Sequence, residues 1–296
     1  MILIDDLGPS YLVALDKATG KNQWKADRKS RGSWTSPVVC EVTGKPAVLV
    51  SSSGSLDAYD AASGKLFATL DGLVGNNIPS PTVCGDLVLI GAGENRMKPD
   101  SAASTKSNCC VRLKEGDKPA FETVWEGKKA ICQHASPLAH RGHAYFVTKV
   151  GLVVCLDLKT GEEKYAERLG SVCWATPVGA GYHVFFFGKD GVTTVLKAGP
   201  KYERVAANRL WSAEDFAQRL VEAKKKAEET LPKAKEGKGP GGPPLPKEER
   251  EAARYSAVGD VVYGVAAVDG AFLIRTGTEL YCVRKSVQSN RTGGDR

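Results

Sequence analysis

The chain has 296 residues, 42% hydrophobic and 25% charged, with a formal net charge of +7 and a pI near 8.9. This composition excludes a disordered chain, and no apolar run reaches the length of a membrane span. The lysines and arginines form no dense patch interleaved with aromatics, so the mild basicity does not imply nucleic acid.

The first element, MILID, reads as a strand whose earlier partner is missing. MILIDDLGPS has no basic region of the kind that opens a signal peptide. The reading favours a fragment that begins inside a fold; the alternative is a cytosolic chain. Next, Tyr11–Trp24 (YLVALDKATGKNQW) reads as a strand buried on both faces, a tight turn and a returning strand. The Asp16 carboxylate is expected to fold onto backbone N–H groups two or three residues on. Gly20 supplies the positive φ of such a turn, and Trp24 anchors the return.

The turn recurs. Ala14–Trp24 (ALDKATGKNQW) is followed by Ala58–Ala68 (AYDAASGKLFA) and Cys155–Tyr165 (CLDLKTGEEKY), with degenerate copies at Val111–Gly116, reaching Trp125, and at Val195–Lys201. The invariant skeleton is Asp16, Gly20 and Trp24, then Asp60 and Gly64, then Asp157 and Gly161. A last strand copy is Leu280–Val283. A second signal, Ser/Thr-Pro entering an apolar strand, precedes most copies at Pro37, Pro81, Pro137 and Pro177, spaced by 44, 56 and 40 residues. Between the two signals lies another strand: Ala47–Ser52, Leu87–Ala92, His143–Lys149 and Tyr182–Gly188.

Each unit thus reads as four strands over about 40–45 residues, the period of a β-propeller blade. One such sheet cannot bury both faces alone, whereas blades stacked around an axis can. The expected fold is an all-β propeller over 1–285, with about six visible blades of the six to eight in an intact ring. The first unit lacks its opening strand and the last lacks its fourth. Two stretches interrupt the repeat. Gly93–Asn108 reads as a polar loop. Residues 212–254 read as a helical and Pro/Gly-rich insertion, with a capping box at Ser212 and Asp215 and an apolar stripe of Phe216, Leu220, Ala223, Ala227 and Leu231. Residues 286–296 read as a disordered tail.

The repeated Ala14-x-Asp16-x-x-Thr19-Gly20-x-x-x-Trp24 resembles the tryptophan-docking repeat of the pyrroloquinoline quinone (PQQ)-like propeller superfamily. The resemblance covers about residues 1–210 and 255–285. That superfamily holds quinoprotein alcohol dehydrogenases, BamB-type outer-membrane assembly lipoproteins and envelope proteins known mainly by fold, and this chain looks most like the last group. The resemblance implies a periplasmic or envelope location and a non-catalytic scaffold that binds a protein partner through a ring face or through the 212–254 insertion. The alternatives it implies are a PQQ- and Ca²⁺-dependent dehydrogenase and the sensor domain of a larger protein.

For the dehydrogenase, the candidate cofactor contacts are Asn76, Asn77, Glu94 and Arg275. Cys109-Cys110 invites comparison with the adjacent-cysteine disulfide of one family subset, but their place at a strand entry argues for a structural role. The eight cysteines show no paired metal-site spacing, and several stand where a small hydrophobe serves the repeat. His134, His140 and His143 lie within ten residues, but His134 and His140 read as opposite ends of one strand and are expected to diverge, so no metal is assigned. Trp34 and Trp174 precede Ser/Thr-Pro by the same offset, near the inner strand's entry, and are read mainly as core packing.

Overall fold

The computed structural model describes residues 1–42, 45–93, 101–114, 119–212, 264–277 and 279–284, with helical residues 214, 215, 217–219, 221, 222 and 225 between them. Six antiparallel meanders carry nearly all of it. The first is β1 (Ile2–Ile4), β2 (Ser10–Leu15) and β3 (Asn22–Arg28). The second is β4 (Val38–Val42), β5 (Lys45–Ser52), β6 (Ser55–Asp60) and β7 (Leu66–Asp71). The third is β8 (Thr82–Cys84), β9 (Leu87–Ile90), β10 (Cys109–Lys114) and β11 (Ala120–Glu126). The fourth is β12 (Leu138–His140), β13 (His143–Val147), β14 (Leu152–Asp157) and β15 (Glu163–Arg168). The fifth is β16 (Val178–Ala180), β17 (His183–Phe187), β18 (Val192–Lys197) and β19 (Arg204–Arg209). The sixth is β20 (Gly264–Val268), β21 (Ala271–Arg275) and β22 (Leu280–Arg284).

The opening strands β4, β8, β12, β16 and β20 touch in series, so they form the inner row of stacked blades. By position in the repeat, the first sheet holds second, third and fourth strands, and the sixth holds first, second and third. This is the four-stranded propeller architecture expected from the period. The second and third strands are the most buried, as sheets packed on both faces require.

Each repeat turn works as its residues dictate. Asp16 Oδ1 accepts hydrogen bonds from the backbone N–H groups of Ala18 (3.1 Å) and Thr19 (2.8 Å) and from the Thr19 hydroxyl (2.7 Å). Asp60 and Asp157 repeat the pattern with Ser63 and Thr160. The Thr19 hydroxyl and N–H hold the Asp16 carboxyl below its usual range. Trp24 then reaches the next blade, where its Nε1–H donates to the Ala61 carbonyl at 3.0 Å and its ring lies on Gly64. Trp125 does the same with the Leu158 carbonyl at 2.9 Å and Gly161.

The Ser/Thr-Pro signal has a tertiary purpose. The Ser36 N–H donates to Ser80 Oγ (2.8 Å), the Ser80 N–H to Ser136 Oγ (3.0 Å), and the Ser136 N–H to Thr176 Oγ1 (3.0 Å). A hydroxyl ladder thus joins four blades along their inner edge. Ser136→Ala is expected to cost about 1 kcal/mol in urea unfolding, because it orphans the Ser80 N–H.

The structure corrects the reading of Gly93–Asn108 as a loop. Within it, α1 (Ser101–Lys106) is helical. Its last-turn carbonyls are met by the Ser107 hydroxyl on Ala103 (2.9 Å) and the Asn108 amide on Ser104 (2.9 Å). Asn108 in turn accepts from the N–H groups of Ala92 (2.9 Å) and Cys132 (3.0 Å), so a buried tertiary anchor decides this helix.

The capping box of the insertion is present. The Asp215 N–H donates to Ser212 Oγ at 3.0 Å, and the Ser212 N–H to Asp215 Oδ2 at 3.4 Å. The helix start is pinned to the last sheet by Arg219, which pairs with Glu279 at 3.1 Å and lies over the Trp211 ring. The proposed apolar stripe, the Pro/Gly-rich remainder to 254 and the tail 286–296 lie outside the described residues.

Candidate functional site

Four repeat-equivalent residues stand two positions before the hydroxyls of the ladder: Trp34, Ile78, His134 and Trp174. The ladder fixes their spacing, so they form a row where the inner strands begin. His134 stacks on Trp174 with centroids 4.4 Å apart and planes 3° from parallel. Lys189, in the turn between β17 and β18, holds its Nζ 3.7 Å from the centroid of the same indole. The two cannot share one face at those distances, so Trp174 is sandwiched between an imidazole and a cation. Burial pushes the Lys189 ammonium down to about 8.

Trp34 departs from the expectation of core packing. It is 73% exposed, because the next residue in the row is Ile78, which offers no ring to stack on. Only its backbone is tied down, with its N–H donating to the Asn77 carbonyl at 2.7 Å. Exposed Val150 and Val172, in loops at the same end of the blades, extend the apolar strip. The result is a rigidly spaced aromatic and apolar face with a cation at one end, suited to contact with another molecule.

The other sequence candidates are dispersed. Asn76 is fully buried, and its amide is spent on its own fold. Its Nδ2 donates to Ser51 Oγ (3.0 Å) and to the carbonyls of Ser52 (2.8 Å) and Ser55 (2.9 Å), while its Oδ1 accepts from the Gly54 N–H (3.1 Å). Asn77 offers its carbonyl to Trp34. Arg275 is exposed at the end of β21, between Gly264 and Leu280, in the sixth sheet. Glu94 lies outside the described residues. Among the described residues no three His, Cys, Asp or Glu side chains gather as a metal site. His134 precedes β12 instead of lying at one end of it. His140 bonds the Gly181 carbonyl (3.0 Å) and His143, its partner across the β12–β13 hairpin, the Arg141 carbonyl (2.9 Å), while His134 stacks on Trp174. Among the described candidates, Asn76, Asn77 and Arg275 gather no set of oxygen ligands of the kind Ca²⁺ beside a quinone needs.

Cys109 and Cys110 are adjacent on β10 and therefore face opposite sides, each joining a different hydrophobic cluster. All eight cysteines are free thiols. Burial pushes those of Cys109, Cys110, Cys132, Cys155 and Cys173 up to about 12. Titration of the native protein with a thiol reagent near pH 8 is therefore expected to show a fast reaction at exposed Cys282. These five should stay silent until denaturant is added; fast labelling of any of them contradicts their packing.

The sequence reading missed a polar cluster between the first two sheets. Arg28, with its side chain fully buried, donates to Asp5 (2.9 Å) and Asp57 (3.0 Å) and to the Tyr59 hydroxyl. The hydroxyls of Ser33 (2.7 Å) and Ser52 close on Asp5, and that of Thr69 (3.0 Å) on Asp57. Burial by itself raises the Asp5 carboxyl, and the bonds from Arg28, Ser52 and Ser33 more than reverse it, leaving Asp5 below its usual range. One signal existed: Asp57 is a charge where the other third strands hold Val13, Cys109, Val154 and Thr194.

Among known proteins, a family model described as outer membrane protein assembly factor BamB matches residues 8–104. The crystal structure of BamB from Moraxella catarrhalis is 11% identical and aligns with a TM-score of 0.56 over 92% of this chain and 68% of that one. Quinohemoprotein alcohol dehydrogenase from Comamonas testosteroni is 16% identical, with a TM-score of 0.51 over 71% of this chain and only 41% of that enzyme. No curated protein matches the sequence. At these identities the structural likeness carries the fold alone. Together with the stacked four-stranded sheets, it shows that the chain is a β-propeller similar in fold to BamB, with residues 8–104 matching the BamB family model.

Proposed function

We propose that this propeller is a non-catalytic scaffold of the cell envelope that binds a protein partner through the face where its inner strands begin. The supporting observation is Trp34, an indole 73% exposed in a row whose spacing the hydroxyl ladder fixes. A large apolar ring held on a rigid backbone gives up little freedom on binding, which is why tryptophan is enriched among residues that dominate interfaces. The similarity to an outer-membrane assembly factor supports the envelope location. No helix of the described residues is long and apolar enough to cross a membrane.

The test is crosslinking in cells from a photoreactive phenylalanine analogue at position 34, compared with one at Lys17 in a turn at the other end of the blades. Adducts specific to position 34, lost in Lys189→Glu, are expected. Equal adducts from both positions, or none from 34, overturn the reading. Trp34→Ala is expected to leave urea stability within about 0.5 kcal/mol, since the side chain buries little in the isolated protein. A titration with PQQ and Ca²⁺, followed by quinone absorbance and dye reduction, tests the oxidoreductase alternative directly.

A further inference from the structure

In five of the six sheets the second strand of the repeat is flanked on its inner side by a short first strand: β4 beside β5, β8 beside β9, β12 beside β13, β16 beside β17 and β20 beside β21. In the first sheet the second strand is β1, and its inner edge pairs with no strand among the described residues. Such an edge presents backbone N–H and C=O groups that a further strand can satisfy.

The second blade is shaped to meet a strand at that edge. Val39 in β4 pairs across with Val48, which packs with Leu12 of the first sheet, so Val39 faces the first blade. It is 61% exposed. Its repeat equivalents Val83, Ala139 and Gly179 are half-buried, because each meets the third residue of the preceding first strand. Cys40 shares a cluster with Val83, and Cys84 with Ala139; His140 lies so close over Gly179 that a Cβ there would stand 2.5 Å from its Cγ. The hydroxyl ladder opens at the same place. Ser80, Ser136 and Thr176 each accept an N–H from the blade before, whereas Ser36 Oγ accepts from no donor among the described residues. A bare strand edge, an uncovered valine and an unused acceptor converge on the position of one further strand.

The repeat also states the chemistry of that strand. The first strands and their entries read Ser36-Pro37-Val38-Val39-Cys40, Ser80-Pro81-Thr82-Val83-Cys84 and Ser136-Pro137-Leu138-Ala139-His140. The hydroxyl residue supplies the N–H for the next blade, proline enters without a ladder donor, and the last residue covers the next blade. β1 has no Ser/Thr-Pro, so β1 of a second copy does not offer this pattern.

We infer that the inner edge of the first sheet binds an extended segment of a partner protein, antiparallel to β1, with the pattern Ser/Thr-Pro-x-x-apolar. Its Ser/Thr N–H donates to Ser36 Oγ and its last residue covers Val39. Main-chain bonds to β1 give affinity, and the two side-chain requirements give selection. The edge of β1, Ser36 and Val39 form this site, so it does not rest on a partner covering Trp34.

The experiment is fluorescence anisotropy of a labelled peptide titrated with the full chain. The probe is the segment Arg31–Val42 carrying Cys40→Ala, which keeps the pattern without a thiol. Saturable 1:1 binding is expected, about tenfold or more tighter than a scrambled peptide of the same composition. Two further probes are N-methylated at positions 38 and 40, or at 39 and 41. One of them blocks the N–H groups that face β1 and should lose binding, while the other keeps it, which separates strand pairing from apolar adsorption. Val39→Glu is expected to weaken the probe by about tenfold or more, by setting a charge under its apolar residue. Ser36→Ala is expected to weaken it by about fivefold, through the lost acceptor. Both variants should melt with the wild type, since Val39 is exposed and Ser36 meets Ser80 through its backbone. Sedimentation of the chain alone tests whether a second copy takes the edge. No saturable binding, equal binding of the scrambled probe, equal binding of the two methylated probes, unchanged affinity in both folded variants, or a dimer that the probe does not dissociate overturns the inference. Each of these leaves the crosslinking test at position 34 to stand or fall separately.

Discussion

Arg28→Ala is expected to be the most damaging single change in the first blade, costing about 3–5 kcal/mol in urea unfolding. The guanidinium neutralises Asp5 and Asp57 together, and neither carboxylate has enough water to stand in for it. Removing it leaves buried negative charge facing buried negative charge. The pH dependence gives a sharper test. The folded Asp5 carboxyl is depressed, so its contribution is present in full above the unfolded carboxylate range, about pH 4, and is lost as pH falls through the folded value. Wild-type stability should therefore drop on acidification below about pH 4. In Arg28→Ala the same carboxyl keeps its burial without its cation, and its folded value rises. The variant should then gain stability relative to wild type as pH falls through the carboxylate range. Parallel pH profiles for the two proteins would mean that the network does not tie the first blade to the second.

Trp125→Ala is expected to cost about 3–5 kcal/mol, the range for emptying a buried indole site. The side chain joins the cluster of Phe146, Val154 and Leu158 in the next blade and meets Phe146 edge-on at 6.2 Å. Trp125→Phe should recover most of that packing and lose about 1 kcal/mol for the Leu158 carbonyl left without its donor. The contact with Gly161 offers an internal control. A Cβ there would stand 2.6 Å from Trp125 Cγ, and the backbone φ is +71°. Gly161→Ala is thus penalised twice, by the clash and by the left-handed conformation. In the Trp125→Ala background only the second penalty survives, so a double-mutant cycle should show strong coupling between the two positions. Additive effects would mean that the indole does not rest on that turn.

The expected results differ in how visible they were beforehand. Trp125, Gly161 and the Asp-capped turns were legible because they recur, and recurrence reveals a residue that the local backbone or the neighbouring blade needs every time. The Ser/Thr-Pro signal was legible for the same reason, though its purpose was not: proline explains a strand entry, but only the stacked blades show that each hydroxyl receives the N–H of the blade before it. Arg28 with Asp5 occurs once. Nothing local distinguishes a buried arginine from a solvated one, and the single clue was Asp57 in a strand position otherwise uncharged. α1 was lost in a polar stretch because its stability comes from Asn108 reaching Ala92 and Cys132, contacts distant in sequence.

The amino-acid sequence by itself determined the period, the strand order within each unit, the turn chemistry and the all-β propeller, because each follows from side-chain alternation and backbone preference over a few residues. Tertiary structure alone decided which residues of the repeat are exposed. Trp34 and Trp174 carry the same signal at the same offset, yet one faces solvent and the other lies between His134 and Lys189. The difference is the surroundings each meets: Trp174 has the imidazole of His134 from the preceding blade and the Lys189 cation of its own, whereas Trp34 is left open to solvent. Likewise Ala206, at the repeat position of Trp24, is an ordinary strand residue, and it leaves a cleft only because the seam it fails to fill brings Phe272 of one sheet beside Phe185 and Phe187 of the other. Exposure and convergence are properties of pairs of blades, and no single stretch of sequence contains both members of the pair.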